Sequence, residues 1–142
     1  MSDHNTSLVE QFIAAFNLGD LERIDSLCTA GYTYHGPGIE LNGIDAAKGH
    51  MQMYKSAFSD AKLEIVDLFA AGDRVVGRWQ ATGTNDGSLG PLPPTAKHVT
   101  LAGISIFRVE NGRLAEEWEL FEELQMLQQL GAVPSETEAV EV

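Results

Sequence analysis

The first third of the chain repeats apolar residues at every third or fourth position, as the buried face of a helix does. The run Ser7–Glu10 has the form of a capping box, so we predict a first helix that begins there and stops at Gly19. Asp20 can cap a second helix that ends at Gly31, and a third repeat predicts a helix over residues 43–58. The predicted inner faces are Leu8, Phe12, Ala15 and Phe16, then Leu21, Ile24, Leu27 and Cys28, then Ile44, Ala47, Met51, Tyr54 and Phe58.

The second half of the chain changes to the β-branched and aromatic composition of strands. Four such segments are separated mostly by turn signals, among them Ala71–Asp73 and Asn111-Gly112. This order predicts an antiparallel meander. Its predicted strands cover residues 63–69, 74–83, 99–109 and 114–120. A brief extended piece, Tyr32–His35, precedes the third helix and is broken by Gly36-Pro37-Gly38.

Two segments lie outside this regular pattern. Residues 84–97 contain Gly, Asn, Asp and three prolines, which predicts a long exposed connection that either shapes a ligand entrance or only crosses over. Residues 124–130 suggest a short helix that ends at Gly131, and we expect residues 134–142 to form a mobile acidic tail.

Helices followed by a sheet, in a chain of 142 residues, predict one α+β domain over residues 1–142, with an ordered core at about 7–133. The formal net charge is −12, and no Lys or Arg follows Arg113. Such a surface repels phosphate backbones and anionic lipids, so we expect neither nucleic acid nor a membrane as a partner.

Cysteine and histidine usage limits the chemistry that the chain can carry. The single cysteine, Cys28, excludes an internal disulfide and a cysteine-based zinc site. His50 and His98 lack a neighbour at metal-ligand spacing, so we expect no bound metal. The residues before Leu8 do not resemble a signal peptide, and no apolar run is long enough for a bilayer, so we expect a cytoplasmic protein.

Several short motifs, in their order and spacing from about Leu8 to Pro134, resemble the SnoaL-like polyketide cyclase family. They are Tyr34-His35-Gly36-Pro37, Gly83-Thr84-Asn85, Gly90–Thr95, Ile106–Val109 with Asn111–Leu114, and the ending from Glu117-Trp118 to Gln129-Leu130-Gly131. The resemblance implies a cone-shaped NTF2-like fold, in which N-terminal helices pack on a strongly curved antiparallel sheet that encloses a cavity. It also implies a homodimer formed through the outer sheet face, and leaves open whether dimers pair into tetramers.

The resemblance implies a cofactor-free intramolecular aldol condensation of a small hydrophobic carbonyl substrate. The family's catalytic aspartate lies four residues after the tryptophan and seven before the glutamine, which corresponds to Glu122 here, with His35 as a second catalytic candidate. Strand alternation would put Trp118, Leu120 and Glu122 on one face. The predicted substrate-binding residues are Phe16, Tyr34, Met51, Tyr54, Trp79, Asn85 and Trp118.

Other functions stay open on the sequence, because a fold alone does not determine chemistry. Glu122 could activate water in an epoxide hydrolase or a dehydratase, or it could be a solvated residue at a helix start. A non-catalytic module that binds a small apolar molecule is the third alternative.

Overall fold

A computed structural model describes residues 2–134, so most of the predicted acidic tail, residues 135–142, lies outside the described part of the chain. The described residues form four helices and six strands. The helices are α1 (Ser2–Leu18), α2 (Leu21–Leu27), α3 (Ile44–Ala57) and α4 (Glu123–Gln129), and the strands are β1 (Cys28–Gly36), β2 (Ile39–Asn42), β3 (Lys62–Ala71), β4 (Arg74–Thr84), β5 (His98–Glu110) and β6 (Arg113–Phe121).

The six strands form one curved sheet in the order β2-β1-β6-β5-β4-β3. Strands β3 to β6 pair consecutively and antiparallel, which confirms the predicted meander. Strand β1 runs parallel to β6, so the sheet is mixed. The α+β class is confirmed.

The helices cover one face of the sheet, and the alternation of side chains along β5 shows which face it is. Val99, Leu101, Gly103, Ser105 and Phe107 are buried on the inner face, whereas the residues that alternate with them, from Thr100 to Ile106, are exposed. The hydrophobic core lies between this face and the helices, and α1 contributes the most residues to its helical side. The core includes Leu8, Val9, Phe12 and Ile13 of α1, Ile24 and Leu27 of α2, and Tyr32, Val75, Phe107 and Leu114 of the sheet.

The helix ends differ from the sequence prediction at two places. Helix α1 begins at Ser2 rather than near Ser7, because its polar first turn is compatible with a helix: Thr6 donates to the carbonyl of Asp3. Helix α2 is capped by Asp20 as predicted. It ends earlier than Gly31, however, because Cys28 is extended and already pairs with β6.

The hairpin of β1 and β2 was only partly foreseen in the sequence. The short extended piece expected at residues 32–35 is a nine-residue strand that turns at Pro37-Gly38, where Gly38 has a φ of +70°. The strand β2 returns from this turn and pairs antiparallel with β1. This hairpin places two tyrosines of β1 on the inner face of the sheet.

The connection between β4 and β5 is held by Asn85, which is almost completely buried. Its amide donates to the carbonyls of Ala57 and Gly87 at 3.1 and 2.8 Å, and its oxygen accepts from the backbone N–H and the hydroxyl of Thr95 at 2.8 and 2.9 Å. Leu89 packs from this loop into a small second core at the C-terminal end of α3. Within residues 2–134, no helix has both the length and the hydropathy needed to cross a bilayer.

Candidate functional site

An apolar cavity of about 140 Å³ lies between the inner face of the sheet and the helices α1 and α3. Aromatic and aliphatic side chains make most of its wall, and a few polar groups converge on it, which is the usual form of a small-molecule site. Its lining includes Phe16, Tyr34, His50, Met51, Tyr54 and Trp79, together with Ser105, Glu117 and Glu119.

Two carboxyl groups enter this cavity from neighbouring inward positions of β6. Residues two apart on a strand share a face, so Glu117, Glu119 and Phe121 all point inward. Glu117 is only 5% exposed, and Glu119 is half-buried. Two neighbouring acids in an apolar wall are costly unless both are hydrogen-bonded, so their hydrogen-bond partners decide what they can do.

Two tyrosines of β1 supply those partners, because β1 lies beside β6 in the sheet. The hydroxyl of Tyr32 donates to Oε1 of Glu117 at 2.6 Å, and the hydroxyl of Tyr34 donates to Oε1 of Glu119. Ser105 of β5 lies directly opposite Glu119 and donates to its Oε2 at 3.3 Å.

The indole of Trp79 extends this chain of donors by one step. Its Nε1–H donates to the hydroxyl of Ser105 at 3.1 Å, which orients that hydroxyl toward Glu119. The ring lies flat over Gly103, where an added Cβ would come within 2.2 Å of a ring atom. Glycine at this position therefore leaves the space that the indole needs to reach Ser105.

The environment changes the acidity of both carboxyl groups. Burial raises the pKa of Glu117 well above its usual range, and the adjacent charge of Glu119 raises it further. Burial also raises the pKa of Glu119, although hydrogen bonds from Tyr34, Glu117 and Ser105 oppose this effect. Two such groups titrate as a pair, and the arrangement favours the state in which Glu117 holds a proton and Glu119 is ionised.

Two further polar side chains reach the cavity from α3, on the side opposite the sheet. The imidazole of His50 packs between the rings of Tyr34 and Tyr54, with both centroid distances at 5.1 Å. Burial lowers the pKa of His50, so its ring is neutral at pH 7. Burial raises the pKa of Tyr54 to about 12, with the charges of Glu123 and Glu119 adding to the effect.

Neither His50 nor Tyr54 has a side-chain hydrogen-bond partner among residues 2–134, so each has a donor to offer to a ligand. In the part of the chain that the structure describes, no group of three or more His, Cys, Asp or Glu side chains could hold a metal ion. The cavity thus presents acids on one wall and neutral donors on the other.

The structure brings five of the predicted substrate-binding residues together in this cavity. They are Phe16, Tyr34, Met51, Tyr54 and Trp79. Asn85 does not reach it, since all of its hydrogen-bonding capacity is used in holding the β4–β5 loop. No residue of that loop lines the cavity either, so the loop is a crossover rather than part of the cavity wall.

The expected position of Glu122 in the cavity is wrong. Residues 116, 118 and 120 do share one face of β6, as the alternation requires, but that face is the outer one, and Leu120 is 73% exposed. Glu122 lies beyond the end of β6, where its carboxylate accepts the backbone N–H of Ala102 at 2.8 Å. It precedes α4 and has no contact with the cavity.

His35 and Trp118 also lie outside the cavity, on the outer face of the sheet. The rings stack at 5.4 Å, and Nε2 and Nδ1 of His35 contact Glu116 and Glu40 at 2.7 and 3.1 Å. The hydrogen bond to Glu116 is the main reason why the pKa of His35 is raised. Burial opposes ionisation of Glu116, but its bonds from His35 and Arg108 outweigh it and lower the pKa.

The sequence interpretation missed Glu117, Glu119 and His50. The signal was present: a Tyr-x-Tyr pair in β1 and a Glu-x-Glu pair in β6 have the spacing of residues that share a strand face. The resemblance assigned the catalytic role to Glu122 instead of to this pair, and the sequence analysis treated His50 only as a possible metal ligand.

The comparisons with known proteins agree with this architecture. Residues 6–130 match the family described as SnoaL-like polyketide cyclase. TsrD from Streptomyces laurentii is 28% identical, with a TM-score of 0.84 over 92% of this chain and 97% of its own. AclR from Streptomyces galilaeus, provisionally assigned as a hydroxylase, is 26% identical, with a TM-score of 0.86 over 99% and 88%.

IdmH from Streptomyces antibioticus, provisionally assigned as a polyketide cyclase, is 27% identical, with a TM-score of 0.79 over 89% of this chain and 98% of its own. A LEH-like epoxide hydrolase from M. tuberculosis is only 16% identical and shares the fold, with a TM-score of 0.74 over 92% of each chain. No curated protein matches the chain by sequence. The predicted NTF2-like fold is confirmed.

Proposed function

Because this chain belongs to the SnoaL-like polyketide cyclase family, we propose that it is an acid/base enzyme that closes a ring by intramolecular aldol condensation of a hydrophobic carbonyl compound. The observation that carries the proposal is the pair of hydrogen-bonded carboxyl groups, the buried Glu117 and the half-buried Glu119, at the wall of an aromatic cavity. The catalytic base in this proposal is Glu119, in place of Glu122, to which the family resemblance assigns that role.

Glu119 is the better base of the pair, because the pKa of Glu117 is raised more strongly than that of Glu119. Glu117 therefore keeps the proton, and Glu119 is the carboxylate that can accept one. A carboxylate whose pKa is raised by burial is a stronger base than one in water, and an apolar wall keeps water from competing for it. The role of Glu117 is then to hold a proton beside Glu119, with Tyr32 fixing its orientation.

The enolate oxygen that forms when a carbon acid loses its proton needs donors on the other side of the substrate. His50 and Tyr54 fit this role, because both face the cavity and neither uses its donor within the described protein. A neutral imidazole suits it well, since it donates a hydrogen bond without giving up its proton to an enolate.

The proposed reaction balances without a cofactor. Glu119 removes the proton from a carbon between or beside carbonyl groups, and the electron pair moves onto the carbonyl oxygen. The enolate carbon then attacks a second carbonyl of the same molecule, which forms the carbon–carbon bond. The new alkoxide takes the proton back from Glu119, so the enzyme returns to its starting state.

The first half of this reaction can be tested without the natural substrate. We expect the protein to catalyse exchange of the acidic C–H of a bicyclic aromatic β-ketoester with deuterium in D₂O, followed by NMR. Glu119→Gln should reduce the catalysed rate by about a hundredfold or more. Glu122→Gln is the matched control, since it changes the same atoms outside the cavity, and it should exchange at the rate of the native protein.

The two variants decide between the two assignments of the base. Loss of exchange in Glu122→Gln, with Glu119→Gln unaffected, would return the role to Glu122 and refute our reading of the cavity. Binding of the ketoester with no exchange in any form of the protein would favour a binding module. Addition of water to an epoxide would favour a hydrolase.

We also propose that the protein is a homodimer whose contact is the outer face of the sheet. Phe69, Val76, Ile106 and Trp118 form one cross-strand row on this face. Phe69 is 58% exposed and Ile106 is 39% exposed, which is unusual for large apolar side chains in a row. Contact with a second copy through the same row would remove this apolar surface from water.

A further inference from the structure

A second hollow lies outside the cavity, where the end of α1 passes the outer part of α3. This outer groove, about 400 Å³, is lined by Phe16, Gly19, Leu21, Met51, Gln52, Lys55 and Ser56. Lys55 is the only charged residue among these lining residues. The groove is therefore different in chemistry from the cavity behind it, whose charged groups are acids.

The groove and the cavity share two wall residues, Phe16 and Met51. These two side chains are thus the partition between the two hollows. Methionine is unbranched and adopts many rotamers at low cost, so Met51 is the part of the partition that moves most easily. A cavity of about 140 Å³ is also small for a polycyclic substrate, which would need to extend past the partition.

The backbone around the partition is held in place by polar side chains. Asn17 pairs with β3: its amide donates to the carbonyl of Leu63 at 2.9 Å, and its oxygen accepts from the N–H of Leu63 at 2.8 Å. Lys55 donates to the carbonyls of Asn17 and Ala61 at 3.1 and 3.0 Å. The ends of α1, α3 and the start of β3 therefore form a fixed frame.

Lys55 has binding capacity left after these contacts. An ammonium group has three N–H donors, and two of them are used by carbonyls. The group also lies over the ring of Phe16, 5.6 Å from its centroid, so one donor is left for a ligand in the groove. Lys48 and Lys62 each pair with a carboxylate, whereas no carboxylate within residues 2–134 forms such a pair with Lys55. Arg23, Lys97 and Arg113 likewise form no such pair within residues 2–134, but none of them lines the cavity or the outer groove.

We propose that the outer groove is the second half of the substrate site and binds a carboxylate at the far end of an elongated apolar substrate, with Lys55 as its counter-ion. The inference rests on the proposed function in one respect: the reacting carbonyl end lies in the cavity beside Glu119. One free donor and one charge suit a carboxylate, and the acidic protein disfavours a group with two negative charges, such as a phosphate.

The test uses pairs of probes in which a naphthalene ring carries a methylene linker of increasing length that ends in a carboxylate or in the matching carboxamide. We expect calorimetry to show one linker length at which the carboxylate binds about tenfold more tightly than the carboxamide, an advantage that weakens as salt is added. Equal affinity of the two probes at every length would overturn the proposal.

Variants of Lys55 separate charge from structure. Lys55→Gln should remove the preference for the carboxylate and leave the carboxamide within about twofold, whereas Lys55→Arg should keep the preference. A preference that survives in Lys55→Gln would overturn the proposal. If loss of the two carbonyl contacts unfolds that variant, the salt dependence of the native protein still decides the question.

The proposed function and this inference can fail separately. Glu119→Gln should lose proton exchange and keep the preference of the native protein for the carboxylate probe, so the two proposals are tested by different measurements. Exchange that survives in Glu119→Gln would refute the acid/base assignment and leave the groove standing. Met51→Ala, which opens the partition, should speed the association of long probes relative to short ones, and unchanged rates would remove the partition from the proposal.

Discussion

The most informative perturbation of the carboxylate pair is Glu117→Gln, because it removes a titrating group and keeps the shape of the side chain. The amide oxygen can still accept the hydrogen bond from Tyr32, which is 2.6 Å from the carboxylate in the native protein. The amide nitrogen can replace the proton that Glu117 donates toward Glu119. The change therefore isolates the cost of ionising a buried acid.

The sign and size of the effect follow from the pKa. An unfolded glutamate titrates near a pKa of about 4.3. Burial raises the pKa of Glu117 well above this in the folded protein, so folding takes up a proton between the two values. The stabilising contribution of the neutral form is complete below the unfolded pKa. It is lost as the pH rises toward the folded pKa, by up to about 1.4 kcal/mol for each pH unit.

The E117Q variant has no such proton to bind, so its stability relative to the native protein should increase with pH by the same slope. Urea unfolding monitored by tryptophan fluorescence, at several pH values from about 3 upward, measures the difference. Glu116→Gln is the control of opposite sign in the acid range: the pKa of Glu116 is lowered by His35 and Arg108 against the effect of burial, so this variant should lose stability relative to the native protein as the pH rises to the unfolded glutamate pKa of about 4.3. It should recover part of this loss as the pH passes the pKa of His35, which Glu116 raises in the native protein. A difference for Glu117→Gln that stays constant with pH would refute the reasoning.

Three further predictions test the fold around the site. Gly103→Ala should lower the free energy of unfolding by about 1–3 kcal/mol and alter the fluorescence of Trp79, since the new Cβ would overlap the indole. In Gly77→Ala the new Cβ meets only an ordinary contact, so denaturation and fluorescence measurements on this control should match those of the native protein. Asn85→Ala should cost about 2 kcal/mol or more and make the β4–β5 loop sensitive to limited proteolysis, because four hydrogen bonds are lost; native-like resistance would contradict the role of Asn85. Ile106→Lys should convert the proposed dimer into a monomer in analytical ultracentrifugation, and a native protein that is already monomeric would contradict the proposed contact.

Most of the fold could be predicted from the sequence, because the spacing of apolar residues distinguishes helices from strands. The helical repeat of α3 and the turn at Asn111-Gly112 are local signals, and both predicted elements with bounds within a few residues. The pairing of β1 with β6 had no local signal. It joins Tyr32 to Glu117 across 85 positions, and only the folded chain shows that they are neighbours.

The site was harder to predict, because alternation defines two faces of a strand without showing which of them is inside. Along β6, the even positions contain Trp118 and the odd positions contain Glu117 and Glu119. The bulky tryptophan suggested that the even face was buried. In the structure it is the acids that face the cavity, and the tyrosines of β1 make this possible by donating hydrogen bonds to them.

The central claim is that Glu117 and Glu119 form a coupled, partly protonated pair in the cavity. A titration of protein labelled with ¹³C at the glutamate side-chain carboxyls, observed by NMR and assigned with the Gln variants, tests it directly. We predict that these two resonances titrate above the usual glutamate range, that each changes when the other residue is replaced, and that both shift when an aromatic ketoester is added. Two independent titrations at ordinary glutamate pKa values, unaffected by the ketoester, would contradict the claim.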